Sequence, residues 1–231
     1  MNQFNFYGFV YFLAAIVVFL VIKIFLKGEN KGKEYIISTY ILLGAIIGAR
    51  IFYILFYNLN YFINNPLKIF YLWEGGLSSH GGIFGIILAG YFASKKYNLS
   101  FLKLADEITI PFAFFLGIGK IANLVNLESY GKITESSFCI RIDNYCRYPV
   151  QIYEAIKNGI LFLVAIYLKK KEIKDGLVTV SFLFLYSSLR LLIDIFREYE
   201  TNILGIGMGQ YLNTITMIIS GYFLVKLIRK S

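Results

Sequence analysis

The stretch GIGKIANLVNLESYGK, residues 117–132, closes a long apolar run and places Lys120 in the last turns of that run. Asn123 and Asn126 follow at intervals of three residues, so on a helix they share one face with Lys120. A charge inside hydrocarbon is costly, and a chain tolerates it where a cavity, a partner or a ligand awaits. Two interpretations are open. Lys120 reaches the membrane interface while the asparagines join helices, or the three side chains line a binding site.

The composition indicates an integral membrane protein. Of the 231 residues, 58% are hydrophobic and only 16% are charged, whereas a soluble domain of this size carries about 25% charged residues. The net charge of +9 comes from short basic clusters between apolar runs. Such clusters are a topology signal in a membrane protein, and we predict no nucleic-acid partner.

The apolar runs predict an all-α fold with about seven transmembrane helices. Most runs are close to the about 20 residues that cross the hydrocarbon core. The third is shorter and follows the glycine-rich segment WEGGLSSHGG, residues 73–82, which is a candidate re-entrant loop. The predicted spans cover residues 7–25, 35–57, 82–93, 108–127, 150–168, 177–196 and 208–227.

Basic residues set the predicted orientation. The loops after the first, third and fifth spans and the C-terminus carry the lysine and arginine clusters, and the alternate loops are poorer in them. By the positive-inside rule the N-terminus is outside and the C-terminus is inside. We expect a single transmembrane domain over residues 1–231, with an outer loop at residues 128–149.

With this orientation, ionisable residues from several segments lie at one level. At about 1.5 Å per residue, the three arginine and lysine positions inside the spans are roughly 18–22 Å from the inner boundary, in the outer half of the bilayer. Three cations with few carboxylates favour an anionic ligand, and the anion of the outer leaflet is a lipid phosphate. The residues at this level are Arg50, Lys120, Arg190, Asp194, His80 and Tyr7.

Few residues are available for chemistry. The chain has one histidine, which excludes a multi-histidine metal site, and no metal or cofactor is predicted. His80 is either structural or in contact with a ligand, since the glycines around it let the backbone approach a ligand closely. Gln151 and Glu154 face one way at the start of the fifth span and either support a site or join helices. Cys139 and Cys146 either form a local disulfide or remain thiols.

Several sequence blocks occur in a fixed order along nearly the whole chain. They are FYGF at 6–9, GARIFYILFYN at 48–58, GGLSSHGG at 75–82, GKIANLVNLESYG at 119–131, RYPVQIYEA at 147–155, RLLIDIFRE at 190–198 and MGQ at 208–210. In this order they resemble the prolipoprotein diacylglyceryl transferase family, whose signature is G-R-x-G-N-F-x-N-x-E-x-x-G. The resemblance implies a multi-pass enzyme of the bacterial plasma (inner) membrane, with seven spans and an outer N-terminus.

The resemblance also implies a reaction. Phosphatidylglycerol from the membrane lipid donates its diacylglyceryl group to the lipobox cysteine in the signal peptide of a prolipoprotein, which forms a thioether and releases glycerol phosphate. His80 would be the base for the thiol, with an arginine-assisted thiolate as the alternative, and Arg190 and Lys120 would stabilise the leaving phosphate. Tyr7 and Asp194 would orient the donor or the cations. The other implied substrate-binding residues are Asn123, Asn126, Glu128, Gly131, Arg50, Gln151 and Glu154.

Five positions depart from the family's pattern. Lys120 replaces an arginine and keeps the charge, but it loses the two-pronged geometry that suits a phosphate. The departures leave open a non-catalytic or donor-shifted lipid-binding paralogue. A membrane transporter fits less well, because the inner halves of the spans are apolar. The five departures are Asn5, Lys120, Ala122, Tyr148 and Asp194.

Overall fold

The structure is a computed structural model that describes residues 6–26, 30–142, 144–171, 174–198, 202–203 and 206–229. The side chains of residues 6–8, 11 and 202–203 lie outside this description. The chain divides into two compact units. The α2–α4 unit covers Val18–Glu107, and the α5–α8 unit combines Met1–Val17 with Ile108–Ser231.

Within the described residues the chain is mostly helical. Five segments are long and apolar enough to cross a membrane, which makes this a multi-pass membrane protein. They are Glu34–Tyr57, Phe101–Val125, Val150–Lys170, Leu177–Phe196 and Met208–Arg229, and a shorter apolar helical segment covers Phe12–Phe25. The helices are α1 Phe6–Phe25, α2 Glu34–Tyr57, α3 Leu59–Asn64, α4 Ser79–Lys96, α5 Phe101–Val125, α6 Val150–Lys170, α7 Leu177–Ile193 and α8 Met208–Arg229. The predicted total of seven spans and their orientation stay predictions.

Two helices begin earlier than the sequence predicts. α5 begins at Phe101, before the predicted start at residue 108, so the acidic pair Asp106 and Glu107 lies inside the helix. α4 begins at Ser79, before the predicted start at residue 82. The Ser78 hydroxyl caps it by accepting a hydrogen bond from the Gly81 N–H at 3.4 Å. The glycine-rich segment therefore continues directly into α4.

The connection between α2 and α4 holds structure that the sequence analysis missed. After α3, two short 3₁₀ turns form at Pro66–Phe70 and Leu72–Glu74. Gly75 and Gly76 follow with φ of 85° and 78°, the left-handed region that favours glycine. We call residues 65–78 the α3–α4 loop.

Small residues let α2 and α4 pack at very close range. A Cβ on Gly85 of α4 would lie 1.9 Å from the Gly44 carbonyl oxygen of α2, and a Cβ on Gly81 would lie 2.3 Å from that of Gly48. Small residues four positions apart are a common device for close helix packing in membranes. The first turn of α4 is therefore held against α2.

The core of the α5–α8 unit joins three helices. Ala113 of α5, Leu161 of α6, and Phe182 and Tyr186 of α7 form one buried cluster. The ring of Phe112 meets that of Phe182 edge-on at 6.0 Å between centroids. This apolar core fixes the faces that α6 and α7 turn towards each other, which decides where their polar residues meet.

The loops of the α5–α8 unit carry two short antiparallel strand pairs that were not predicted. Strands β1 (Ile140–Ile142) and β2 (Tyr145–Arg147) lie between α5 and α6. Strands β3 (Asn202–Ile203) and β4 (Ile206–Gly207) lie between α7 and α8. Of the two alternatives for the cysteines, the structure has the disulfide. Cys139 and Cys146 are paired with their Cα atoms 5.5 Å apart, a usual separation for a bridge.

Candidate active site

A network of four buried charged residues joins α6 to the end of α7. The Glu154 carboxylate accepts hydrogen bonds from Arg190 Nη1 and from Lys157 Nζ, the latter at 3.0 Å. Arg190 Nε lies 3.0 Å from Asp194 Oδ1. All four residues are buried, and Glu154 is 0% exposed. We call these residues, Glu154, Lys157, Arg190 and Asp194, the ion network.

Helix geometry explains how the network forms. Glu154 and Lys157 are three residues apart on α6, and Arg190 and Asp194 are four apart at the end of α7. Side chains at these spacings are neighbours on one helix face. Because the apolar core already turns α6 towards α7, the two pairs meet and Arg190 reaches Glu154.

Lys120 of α5 adds a further positive charge next to this network. It is close enough to Arg190, Lys157 and Asp194 for their charges to interact. Among the ion pairs of the described residues, none includes Lys120. The network is thus internally paired, while Lys120 beside it brings a positive charge and contacts no carboxylate of the residues that the structure describes.

Several buried polar atoms on this side of α6 and α7 have no hydrogen-bond partner in the described structure. Asp194 contacts Arg190 as a charge, but neither carboxylate oxygen receives a hydrogen bond with good geometry. Buried polar atoms without partners are costly. They therefore point to a polar ligand or ordered water at this face. The others are Gln151 Oε1, Asn158 Oδ1 and Nδ2, and Ser187 Oγ.

The stretch at residues 117–132 forms the end of α5 and the loop after it. Leu127 has a φ of 52° and caps the helix in the left-handed conformation that usually requires glycine. The Glu128 N–H donates to the Asn123 carbonyl at 2.9 Å. Lys120 and Asn123 lie on the helix, but Asn126 follows its last residue, Val125, and is exposed. The predicted shared face thus ends at Asn123.

Three more predicted residues hold the loop after α5. Gln151 Nε2 donates to the Glu128 carbonyl at 2.7 Å, while the Glu128 side chain is exposed. Gly131 is buried so tightly that a Cβ would lie 2.5 Å from the Tyr148 carbonyl oxygen and 2.8 Å from that of Phe196. Glycine at this position therefore has a packing reason.

Arg50 lies in the α2–α4 unit and is saturated by backbone carbonyls. Its guanidinium stacks over the Phe62 ring at 4.9 Å, and Arg50 is 6% exposed. These contacts hold the α3–α4 loop around the guanidinium, and the predicted contact of Arg50 with a substrate stays a prediction. The five acceptors are the carbonyls of Lys68 at 2.6 Å, Ile69 at 3.0 Å, Tyr71 at 3.3 Å, Gly75 at 2.5 Å and Gly76 at 3.1 Å.

His80 is half-buried in the first turn of α4, next to the close contact that Gly81 makes with α2. It belongs to the α2–α4 unit, whereas the ion network belongs to the α5–α8 unit. Tyr7 lies in the first turn of α1, and its side chain is outside the described part of the chain, as is Asn5. The catalytic roles predicted for His80 and Tyr7 therefore stay predictions.

Lys157 is not among the predicted site residues, although its spacing along α6 gives a signal for it. Gln151 and Glu154 were placed on one helix face, and Lys157 continues the same spacing by three residues. All three are buried in α6. A buried lysine in an apolar helix is unusual enough to be sought on this ground.

The fold and the network together define a class of protein. This is a helical, multi-pass membrane protein with a buried, internally paired ion network and a further lysine, Lys120, beside it. Such a site suits an anion held within or beside the lipid. The sequence model described as "Prolipoprotein diacylglyceryl transferase" matches residues 2–226.

Curated relatives agree with this match. A phosphatidylglycerol--prolipoprotein diacylglyceryl transferase of Geobacter sulfurreducens is 33% identical over 222 residues, which cover 90% of this chain and 83% of the relative. Proteins of the same name from Rickettsia typhi and Rickettsia felis are 38% and 40% identical. They cover 82% and 81% of this chain, and 77% and 76% of the relatives. The chain therefore belongs to the prolipoprotein diacylglyceryl transferase family.

Proposed function

We propose that this chain transfers the diacylglyceryl group of phosphatidylglycerol to the cysteine thiol of a prolipoprotein. Membership of the family supports the reaction class, and the names of the relatives support the donor and the acceptor. The observation that carries the proposal is a buried arginine, Arg190, which lies between two carboxylates with an additional lysine, Lys120, nearby. These cations suit the phosphate that leaves during the transfer.

The proposed reaction is a displacement at carbon. The thiolate sulfur attacks the glycerol carbon that carries the phosphate, the C–O bond to the phosphate breaks, and a C–S bond forms. The electron pair of the broken bond stays on the phosphate oxygen, which leaves as glycerol phosphate. Arg190 and Lys120 stabilise the charge that develops on that oxygen, and burial strengthens their effect.

The carboxylates have a positioning role in this proposal. Glu154 and Asp194 contact Arg190 from two directions and fix the guanidinium, as pre-organised groups do in other active sites. Asn123, Asn126, Glu128 and the loop around Gly131 would contact the glycerol head group, with Gln151 holding the Glu128 backbone. Tyr7 remains a proposed donor contact on the basis of the sequence resemblance alone. The resemblance implies the same role for Arg50, but its five carbonyl contacts favour a role in holding the α3–α4 loop.

The proposed base is His80. A cysteine thiol has a pKa near 8.5 and is mostly protonated at neutral pH, so the reaction needs a proton acceptor or a strongly positive surrounding. His80→Ala is expected to reduce transfer and to make its rate rise steadily as the pH approaches the thiol's own pKa. A variant whose rate keeps the native pH profile would favour an arginine-assisted thiolate instead.

The topology is part of the proposal. We place the N-terminus outside, the C-terminus inside and seven spans across the bacterial plasma membrane, with the reaction in the outer half of the bilayer. The basic loop clusters support this orientation. Labelling of single cysteines or tags at either end in intact cells tests it. A cytoplasmic N-terminus would place the cations in the wrong leaflet.

The decisive experiment is transfer from labelled phosphatidylglycerol to a lipobox peptide, comparing the native protein with Lys120→Arg. Thioether product from the native protein supports the proposal and means that lysine suffices at this position. Product from Lys120→Arg alone means that this chain has shifted its donor. No product from either, with folded protein that binds the lipid, would replace the proposal with a non-catalytic lipid-binding paralogue.

A further inference from the structure

Lys157 is a buried cation that the proposed reaction does not use. It lies two turns into α6 and is only 4% exposed. Its Nζ is 3.0 Å from Glu154 Oε2 and 3.9 Å from the centroid of the Tyr186 ring. Burying an ammonium carries a large desolvation cost, and apolar residues would fill this position at a lower cost. The lysine therefore calls for a role beyond packing.

The two oxygens of Glu154 are divided between two cations. Oε1 accepts from Arg190 and Oε2 accepts from Lys157. Lys157 therefore does not displace Arg190 but neutralises the carboxylate that Arg190 also contacts. Without Lys157, the two carboxylates Glu154 and Asp194 would face the single charge of Arg190.

A count of charges shows what Lys157 changes. The buried ion network holds two cations and two carboxylates and is neutral by itself, and the half-buried Lys120 beside it adds one positive charge. Removing Lys157 would bring the balance to zero. Arg197, which is half-buried like Lys120, also acts on Lys120 electrostatically. Its charge is present with or without Lys157, so Lys157 changes the balance by one charge in either case.

We propose that Lys157 is a specificity-determining residue for the lipid donor. By neutralising Glu154, it leaves a positive excess that matches the single negative charge of a phosphodiester with an uncharged alcohol. A zwitterionic head group carries its own ammonium, and that ammonium would be repelled by the same excess. This inference rests on the proposed function for the site, but it concerns the selection of the donor and not the transfer step.

Tyr186 supports this assignment. Its ring is 4% exposed and stacks with Phe182 at 5.7 Å between centroids. A lysine over the face of a desolvated aromatic ring is attracted by the negative potential of that face. Lys157 is therefore held in place beside Glu154. A lysine near a helix end otherwise extends its ammonium towards water.

The test measures binding and not turnover. The purified protein in detergent is titrated with short-chain phosphatidylglycerol and with phosphatidylethanolamine of the same chains. Lys157→Met keeps an unbranched side chain, one atom shorter than lysine, and removes the charge, and Lys157→Arg keeps the charge. We expect Lys157→Met to lose about 10-fold in its preference for phosphatidylglycerol, and Lys157→Arg to stay within about 3-fold of the native protein.

A double variant separates charge from contact. Lys157→Met with Glu154→Gln removes both partners of the ion pair and restores one positive charge in excess. We expect it to recover most of the preference that Lys157→Met loses. The double variant leaves no unpaired buried carboxylate at residue 154. It can therefore test the inference even if Lys157→Met does not fold. Melting curves of every variant show which proteins are folded.

Two results would overturn the inference. A folded Lys157→Met protein with the native preference would mean that the lysine only fills its position. A folded double variant without a preference for phosphatidylglycerol would mean that the charge balance does not select the lipid. The proposed function fails separately, by the absence of thioether product from a native protein that still prefers phosphatidylglycerol.

Discussion

Two buried arginines, Arg50 and Arg190, have opposite surroundings in this protein. Arg50 donates to five backbone carbonyls of one loop, so each of its N–H groups has a neutral acceptor. Arg190 contacts two carboxylates, Glu154 and Asp194, and buried polar atoms near it lack partners. Both are buried to a similar degree, at 6% and 8% exposure. Burial alone therefore does not distinguish them.

The difference lies in the acceptors. Carbonyls that surround a guanidinium fix the backbone that carries them, and they leave no donor for a ligand. Carboxylates fix the position of the guanidinium itself, so that its charge can act on a ligand beside it. The comparison assigns Arg50 to the α3–α4 loop and Arg190 to the proposed anion site.

The largest effect is expected from Arg190→Ala. It removes the positive charge nearest both carboxylates, so transfer should fall by about 10²- to 10³-fold, the usual loss for one stabilising donor. Arg190→Lys keeps the charge and loses the second contact, and its transfer rate should lie between those of the alanine variant and the native protein. The measurement is the initial rate of thioether formation from labelled phosphatidylglycerol.

Stability must be followed in the same experiment. Removing one partner of a buried ion pair costs about 3–5 kcal/mol, so Arg190→Ala is compared with Arg190→Ala/Glu154→Gln, in which Glu154 is neutral. If a folded Arg190→Ala protein transfers at nearly the native rate, the phosphate does not depend on this arginine. The two arginines would then both be structural.

Arg50→Gln should affect conformation more than binding. The loss of several charged hydrogen bonds costs roughly 2–4 kcal/mol, and the α3–α4 loop should loosen. Trp73, the only tryptophan, lies in this loop, and its ring stacks on Tyr71 at 4.9 Å between centroids. Because the Tyr71 carbonyl accepts from Arg50, we expect Trp73 emission and its quenching by acrylamide to change by about 2-fold.

The binding of phosphatidylglycerol supplies the control for Arg50. Its affinity should stay within about 3-fold of the native value in Arg50→Gln, provided that the protein is folded. An unchanged Trp73 signal together with a large loss of lipid affinity would give Arg50 the ligand role that the sequence resemblance implies. Both arginines would then be ligand-binding residues.

The sequence predicted the membrane helices well because hydrocarbon imposes a length and a composition on them. α2, α6 and α8 begin and end within about two residues of the predicted spans. The predicted start was wrong for α5, because charged residues in its first turns interrupt the apolar pattern. The predicted span begins at residue 108, after Asp106 and Glu107, but these two residues lie in the second turn of α5.

The candidate site was predictable only where residues repeat along one helix. Glu154 and Gln151 were found by their spacing, and the same rule reaches Lys157. The acceptors of Arg50 were not predictable, because they are backbone carbonyls of a loop whose sequence carries no signal for them. Leu127 was also missed, since leucine gives no indication of the left-handed cap that it forms.

The close packing of α2 and α4 offers a smaller and well-controlled test. Gly85→Ala places a methyl group against the Gly44 backbone, and overpacking of this kind costs about 1–3 kcal/mol. Gly82→Ala on the same helix meets only ordinary contacts, at 3.7 Å or more. We expect Gly85→Ala to lower the melting temperature and Gly82→Ala to leave it unchanged. Equal melting temperatures would mean that α2 and α4 are not held at this distance.

The smallest effect is expected from the exposed pair Lys68 and Glu74 in the α3–α4 loop. Its hydrogen bond raises the pKa of Lys68 above the ordinary range. A raised pKa means that the pair contributes stability at neutral pH and loses that contribution as the pH rises through the raised pKa. The pair is solvent-exposed, so Glu74→Gln should shift the melting temperature by about 1 °C or less.

Trp73 reports on this pair as it does on Arg50. In the native protein its emission should change when Lys68 deprotonates at strongly alkaline pH, and Glu74→Gln should move that change to lower pH. Tyrosines also titrate near this range, so Lys68→Met provides the baseline. If Glu74→Gln loosened the loop as much as Arg50→Gln, a surface ion pair would hold the loop. The five carbonyl contacts of Arg50 would then be incidental to its conformation.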